Sequence, residues 1–455
     1  MTADRFVLPD VGAPGPVTFP PIARAVLDNG LRVWSLSHTT VPVATALLVI
    51  RCGASADPSD KPGLAGVTAD LLDEAAGPYD AIQLADAFAR LGSQLVTEVG
   101  SDVVTVGFTT LDRFFPHALA LLGEVMQRPR LTESDLTRVR ELRSSRLKQL
   151  SSSASAAADR TFYRAIFGEH PYGHGVLGTL QSLTGITLDD VRGFRAARFV
   201  PADATLIVGG NLDQSAVVSA ARAALGGWTA EGPRAPSSRH EGAPAVAAVP
   251  SVLFVSRPRA PQSELRVGHV GPPRSVAAYH RLVTLNAALG GQFSSRLNTI
   301  LREQKGLTYG VHTTFDFRLL AGTFACETSV QADGTAEAIR DVLAQCEAIR
   351  AAGNVTGDEL TRAKAAITRG YAKHFETADQ LVRAAMQLAT YELPDDTFDR
   401  FVPAISAVAP ADAEAAAREF LHPAGAVSVV VGDPDACRAQ VEALGYPVTD
   451  VVPEF

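Results

Sequence analysis

Apolar residues recur along this chain with two alternating periods. Leu84, Phe88 and Leu91 fall at helical spacing and Gly92 follows as a stop; Val104, Val106 and Phe108 then alternate with Thr105, Gly107 and Thr109, as a half-buried strand does. A helix is predicted from about Leu119 to Met126. In the second half LAGTFACETSV reads as a strand, and AEAIRDVLAQCEAIR as a helix with Ile339, Val342 and Cys346 on one face. Strands paired with long helices predict an α+β chain in which each half is an α/β sandwich, a sheet covered by helices on one face.

Between Gly226 and Pro250 the pattern lapses: GGWTAEGPRAPSSRHEGAPAVAAVP is rich in Pro, Gly, Ser and Ala and has no sustained hydrophobic period. The expected division is a domain at 1–228, a linker at 229–249 and a second domain at 250–455. The halves resemble each other. LTESDLTR from Leu131 is similar to VTGDELTR from Val355, and RFVPADATLIVGGNLD from Arg198 to EFLHPAGAVSVVVGDPD from Glu419, at offsets of 224 and 221 residues. Two matches in order at nearly one offset indicate a duplicated unit of domain size.

Composition narrows the classes. A 455-residue chain that is 46% hydrophobic holds two cores and is neither disordered nor fibrous. Lys plus Arg number 41 against 49 Asp plus Glu, a net charge of −8, so nothing draws it onto nucleic acid or anionic lipid. Cys52, Cys326, Cys346 and Cys437 are far apart and lack CxxC or Cys/His spacing, which reads as free thiols in a reducing compartment. The N-terminus has no basic start followed by an apolar run, and no stretch approaches the roughly 18 apolar residues of a membrane helix. The expectation is a soluble cytoplasmic protein with no membrane partner.

Four segments in order carry a resemblance. LDNGLRV, the strand ATALLVIRCGASAD and KPGLAGVTADLLDEAAG (Lys61 to Gly77) resemble the opening of the pitrilysin/insulinase-type zinc peptidases, including mitochondrial processing peptidase. HPYGHGVLGTLQSLTGITLDDVRGFRAARFVPADATLIVGG is similar to the segment closing that family's first domain, and LGGQFSSRLNTILREQKGLTYGV to the signature of its second. The resemblance covers nearly the whole chain and implies two homologous domains forming half of a clamshell.

The family's chemistry needs H-x-x-E-H on the helix beginning at GLA: two His one turn apart bind zinc, and the Glu acts as general base on zinc-bound water. The matching positions here are Gly66, Ala69 and Asp70. Leu64, Val67 and Leu71 fall on one helical face and those three on the other, so the packing face survives and the ligand face is empty. The third family ligand, a Glu, falls near Arg146, with Glu141 the nearby carboxylate. Glu169, His170 and His174 cluster in GEHPYGHG, but Pro171 and two glycines break any helix that would align them, and a packed loop is expected. His312 stands alone and reads as structural. No metal site is expected in this chain.

The other half of the family's active site is intact. Phe293, Leu297, Ile300 and Leu301 form a helical stripe ended by Gly306, and Leu307, Tyr309 and Val311 alternate as a strand. The resemblance implies that Arg302 and Tyr309, seven residues apart, hold the substrate backbone, and that Gly290 and Gly291 form a substrate loop. A guanidinium and a phenol are suitable donors to a peptide carbonyl and its oxyanion. The implied role is a non-catalytic subunit of a heterodimeric peptidase, inactive alone, supplying Arg302 and Tyr309 to a homologous H-x-x-E-H-bearing subunit that holds zinc and hydrolyses peptides. The rival reading is a family-derived scaffold or binding protein with no part in proteolysis.

Overall fold

The computed structural model describes residues 16–232, 244 and 249–455. Most of the expected linker at 229–249 lies outside these residues, as do residues 1–15, where the sequence reads as non-secretory. Strands β1 (Ala23–Val26), β2 (Arg32–Ser37), β3 (Val43–Ile50), β4 (Val96–Val99), β5 (Val104–Leu111) and β6 (Ala204–Gly210) form a six-stranded sheet in the order β1-β2-β6-β3-β5-β4. Strands β7 (Ser251–Ser256), β8 (Gln262–Gly271), β9 (Thr308–Asp316), β10 (Gly322–Gln331), β11 (Val427–Gly432) and β12 (Val448–Asp450) form a second, in the order β9-β10-β8-β11-β7-β12.

Read from β2 and from β7, the two orders coincide at five of six positions; the edge strands differ, β1 being antiparallel to β2 and β12 parallel to β7. The parallel pair β2–β6 answers β7–β11, and the antiparallel pair β3–β5 answers β8–β10. The duplication inferred from two short sequence matches is therefore a duplication of topology.

The helices that matter here are α1 (Leu64–Asp70), α2 (Phe115–Gln127), α3 (Glu133–Ser151), α4 (Ala154–Phe167), α5 (Tyr279–Leu289), α6 (Thr335–Ala348), α7 (Gly357–Thr368) and α8 (Ala378–Tyr391). On one face each sheet meets helices of its own half. Leu48 and Leu206 pack with Val67 of α1 and Leu119 of α2, while Leu265 and Val430 pack with Leu285 of α5 and Val342 of α6.

The other face is not bare. Phe162 and Ile166 of α4, from the first half, join Val255, Val270, Val429 and Val431 of the second sheet. Reciprocally, Leu381, Val382 and Leu388 of α8 join Leu36, Leu47, Val49 and Ile207 of the first. This exchange corrects the expectation of a sheet covered on one side. It also explains why β6 and β11 are buried at every position, and why Thr105, read as facing solvent, is 4% exposed. Strands covered on both faces lose the alternation of a half-buried sheet.

Polar contacts lock the exchange. Arg266 of β8 donates to Asp159 Oδ1 at 2.6 Å and to Ser155 Oγ at 2.7 Å on α4, and Arg24 is bidentate to Asp395 at 2.6 and 2.8 Å. No helix of the described residues is long and apolar enough to cross a membrane.

Candidate functional site

α1 begins after Gly63 and has no capping side chain at its own N-terminus. Asp57, whose side chain is fully buried, supplies one from six residues upstream: Oδ2 accepts from the Gly63 N–H at 2.7 Å and Oδ1 from the Ala65 N–H at 2.6 Å. Burial nevertheless pushes the Asp57 carboxyl up to about 7, against the lowering effect of those two donors. The folded chain then binds this proton more tightly than the unfolded chain, so the Asp57 contribution to stability is largest at acid pH and falls as pH rises from about 4 to about 7. Wild type should lose stability relative to Asp57→Asn over that interval, measured as the difference in unfolding free energy by denaturant titration; a constant difference would contradict the buried proton.

Leu64, Val67 and Leu71 are buried, as expected of the packing face. The face opposite them, read as bare of ligand side chains, is occupied by Arg143 from α3. A Cβ at Gly66 would lie 2.4 Å from Arg143 Nη2 and 2.5 Å from Nη1, so only glycine admits the guanidinium there. Arg143 Nε donates to Asp70 Oδ2 at 2.6 Å and Nη1 to the Val176 carbonyl at 3.2 Å. Ala69 is fully buried between them in sequence.

Arg146, the residue expected opposite this face, is instead exposed and donates to Gln149 Oε1 at 3.0 Å, and Glu141 is exposed as well. The cation facing α1 is thus one helical turn earlier. Its signal was present in the sequence: Arg143 shares a stripe with Leu136, Val139 and Leu147, all buried, and a charge on an apolar stripe calls for a partner.

These residues do not fit zinc. Asp70 is the only carboxylate among the four positions, its oxygen is held by a guanidinium, and no imidazole is present. Among the described residues no group of three or more His, Cys, Asp and Glu is placed to hold a metal ion. GEHPYGHG is a packed loop: Pro171–Gly173 forms a 3₁₀ turn, Tyr172 is buried, and His170 Nδ1 accepts from the Tyr172 N–H at 3.2 Å.

The second half presents a different surface. The helix carrying Arg302 is a π-helical turn, Asn298–Gln304, fastened to β9 by one amide: Asn298 Nδ2 donates to the Val311 carbonyl at 2.7 Å and Oδ1 accepts from the Val311 N–H at 3.0 Å. Immediately before Val311 the register with β10 slips, and Tyr309 and Gly310 stand between the pairs Thr308–Val330 and Val311–Thr328. This bulge is held by Thr308 Oγ1, which accepts from the Gly310 N–H at 3.1 Å, and by Thr328 Oγ1, which donates to the Gly310 carbonyl at 2.9 Å. Bulges and π-turns re-aim side chains. Here the result is a Tyr309 that is 98% exposed between the packed Leu307 and the buried Val311.

Leu297 and Leu301 are core residues, but Phe293 is not part of their stripe. It sits in a turn before the helix, 68% exposed. The Arg302 guanidinium lies over its ring at 3.9 Å from the centroid, and Arg302 Nη1 is buried with no hydrogen-bond partner among the described residues. Tyr309, Phe293, Gly291, His312, Glu264 and Glu327 line one open cavity of about 490 Å³. The structure thus gathers Tyr309, Gly291 and, through Phe293, Arg302. His312, read as structural, is exposed on this cavity.

Gly290 and Gly291 are constrained on this edge: their N–H groups both donate to the Asn286 carbonyl, at 3.0 and 2.7 Å, and a Cβ on Gly290 would lie 2.5 Å from Thr313 Cγ2. The small size of Gly290 serves close packing on β9, and that of Gly291 close packing on Asn286 at the end of α5.

Residues 32–180 match the insulinase (peptidase family M16) domain, and residues 185–367 the peptidase M16 inactive domain. An uncharacterized zinc protease of Mycobacterium leprae is 27% identical over 358 residues, 77% of each chain. A non-peptidase homolog of Helicobacter pylori is 24% identical over 289 residues, 62% of this chain and 64% of its own. The crystal structure of a peptidase M16 inactive domain from Pseudomonas fluorescens shares the fold, with a TM-score of 0.82 at 22% identity over 90% of this chain and 98% of that one. With its duplicated topology and these two matches running from residue 32 to residue 367, the chain belongs to the M16 (insulinase) peptidase family as a non-catalytic member.

Proposed function

We propose that the chain is the non-catalytic subunit of a two-chain zinc peptidase and lends Arg302 and Tyr309 to substrate held beside a partner's zinc. The observation that carries this reading is the pair of unspent donors on one edge. Tyr309 is held almost wholly in solvent by a hydrogen-bonded bulge, and a buried Arg302 Nη1 lacks an acceptor among the described residues. A tyrosine kept only for packing is ordinarily half-buried with its hydroxyl wet; this ring packs on little. A peptide carbonyl, and the oxyanion formed when it is attacked, is a suitable acceptor for both. The partner is a homologue bearing H-x-x-E-H, in the same compartment, for which the cytoplasm remains our proposal.

Reconstitution tests this. The chain alone should hydrolyse no peptide and carry no stoichiometric zinc. Mixed with a zinc-bearing homologue from the same source, it should form a one-to-one complex burying more than about 2,000 Å², the size of an obligate interface, with peptidase activity absent from either chain alone. An inert monomer by light scattering that ignores such a homologue would favour the scaffold reading.

A further inference from the structure

Away from the Tyr309 edge, a second cavity of about 510 Å³ lies where the halves meet, lined by residues of both, among them Asp102, Arg274, Tyr279, Asp316, Thr390 and Tyr391. Its lining holds two polar side chains that the fold leaves unsatisfied. Arg274 is 9% exposed and makes no ion pair or side-chain hydrogen bond among the described residues. Its guanidinium stacks over the Tyr279 ring, 3.5 Å from the centroid. Thr390, 5% exposed, has a buried Oγ1 with no partner among the described residues.

A guanidinium with so little exposure gains from a facing acceptor, and stacking on a ring supplies none. The two carboxylates in the same lining are already engaged elsewhere. Asp316 accepts from Arg318 Nε at 2.7 Å. Asp102 accepts from the Tyr172 hydroxyl and, at 3.0 Å, from the Leu319 N–H. They leave Arg274 without a counter-ion, and their charge opposes a doubly charged guest. Tyr279, Phe315, Phe317 and Met386 give the rest of the wall an apolar character.

We propose that this cavity binds a small monocarboxylate with an apolar body, its carboxylate on Arg274 and Thr390 Oγ1 and its body against the aromatic wall. A bidentate Arg–carboxylate pair with one hydroxyl donor satisfies both orphaned groups at once. A free organic acid and the C-terminal residue of a short peptide share this chemistry. Because α8 brings Thr390 to a cavity that the first half also lines, an occupant would tie the halves together.

The test is calorimetric titration of the full chain with N-acetyl-phenylalanine, its amide, a dipeptide ending in phenylalanine, and inorganic phosphate. The acid should bind saturably and raise the unfolding temperature, while the amide and phosphate should not. Binding of the dipeptide would assign the peptide source, and binding of the acid alone the free acid. Arg274→Met should fold at least as well as wild type, since it removes a buried unpaired cation, and lose about tenfold or more in affinity. Thr390→Val should lose several-fold. Equal binding of acid and amide, preference for phosphate, or no saturable binding would overturn the proposal without recourse to a variant, as would undiminished binding in both variants.

Discussion

Tyr309→Phe in the reconstituted heterodimer should lower kcat/KM by the equivalent of about 2–4 kcal/mol if the hydroxyl meets the oxyanion, and Arg302→Ala by a similar amount. The phenol is the cleaner probe. Its ring is 98% exposed, and the bulge that presents it is held by Thr308, Thr328 and Asn298, none of which the substitution touches. The fold, the melting temperature and assembly with the partner should therefore be unchanged while turnover falls. Arg302→Ala also removes the stack on Phe293, so its turnover should be scored only at matched assembly. Arg302→Lys keeps the charge but not the planar fork, and should recover little. A packing role predicts the reverse pattern, full turnover in Tyr309→Phe with any effect of Arg302→Ala appearing as lost stability.

The strands and long helices were legible because their apolar periods are local. Val104, Val106 and Phe108 announce β5, and Ile339, Val342 and Cys346 announce α6. The exchange of α4 and α8 was not, because Phe162 and Leu388 find their partners in the opposite half, and nothing in a 3.6-residue period says which sheet a stripe will meet. The same limit hid Arg143. The motif positions Gly66, Ala69 and Asp70 were read from resemblance, but what fills the space beside a glycine depends on α3, more than seventy residues later, and counting along that helix landed one turn away at Arg146. Around Tyr309 the spacing of seven from Arg302 was visible. The bulge and the π-turn that turn Tyr309 outward were not, since they rest on the side-chain amide of Asn298, and an asparagine in the first turn of a helix has many ordinary uses.

Restoring the metal motif should fail twice over. Gly66→His, Ala69→Glu and Asp70→His together recreate H-x-x-E-H, yet the first places a Cβ within 2.5 Å of two Arg143 nitrogens and the third removes the carboxylate that neutralises that guanidinium. Arg143 has an 8% exposed side chain against 43% for Asp70, so the two members of the pair are not equivalent. Losing Arg143 leaves a carboxylate that water can still reach, whereas losing Asp70 leaves a buried cation holding only the Val176 carbonyl. Asp70→Ala alone should accordingly cost about 2–4 kcal/mol, below the upper range for a fully buried pair because Asp70 is half in solvent, and more than Arg143→Met. The triple variant should unfold at lower denaturant than Asp70→Ala and bind less than about one zinc per ten chains, since a cation beside the restored imidazoles repels the metal and no third ligand is present. Near-stoichiometric zinc or peptidase activity in that variant would show that Arg143 yields its place readily, and that the loss of the two imidazoles is all that separates this helix from a working metal site.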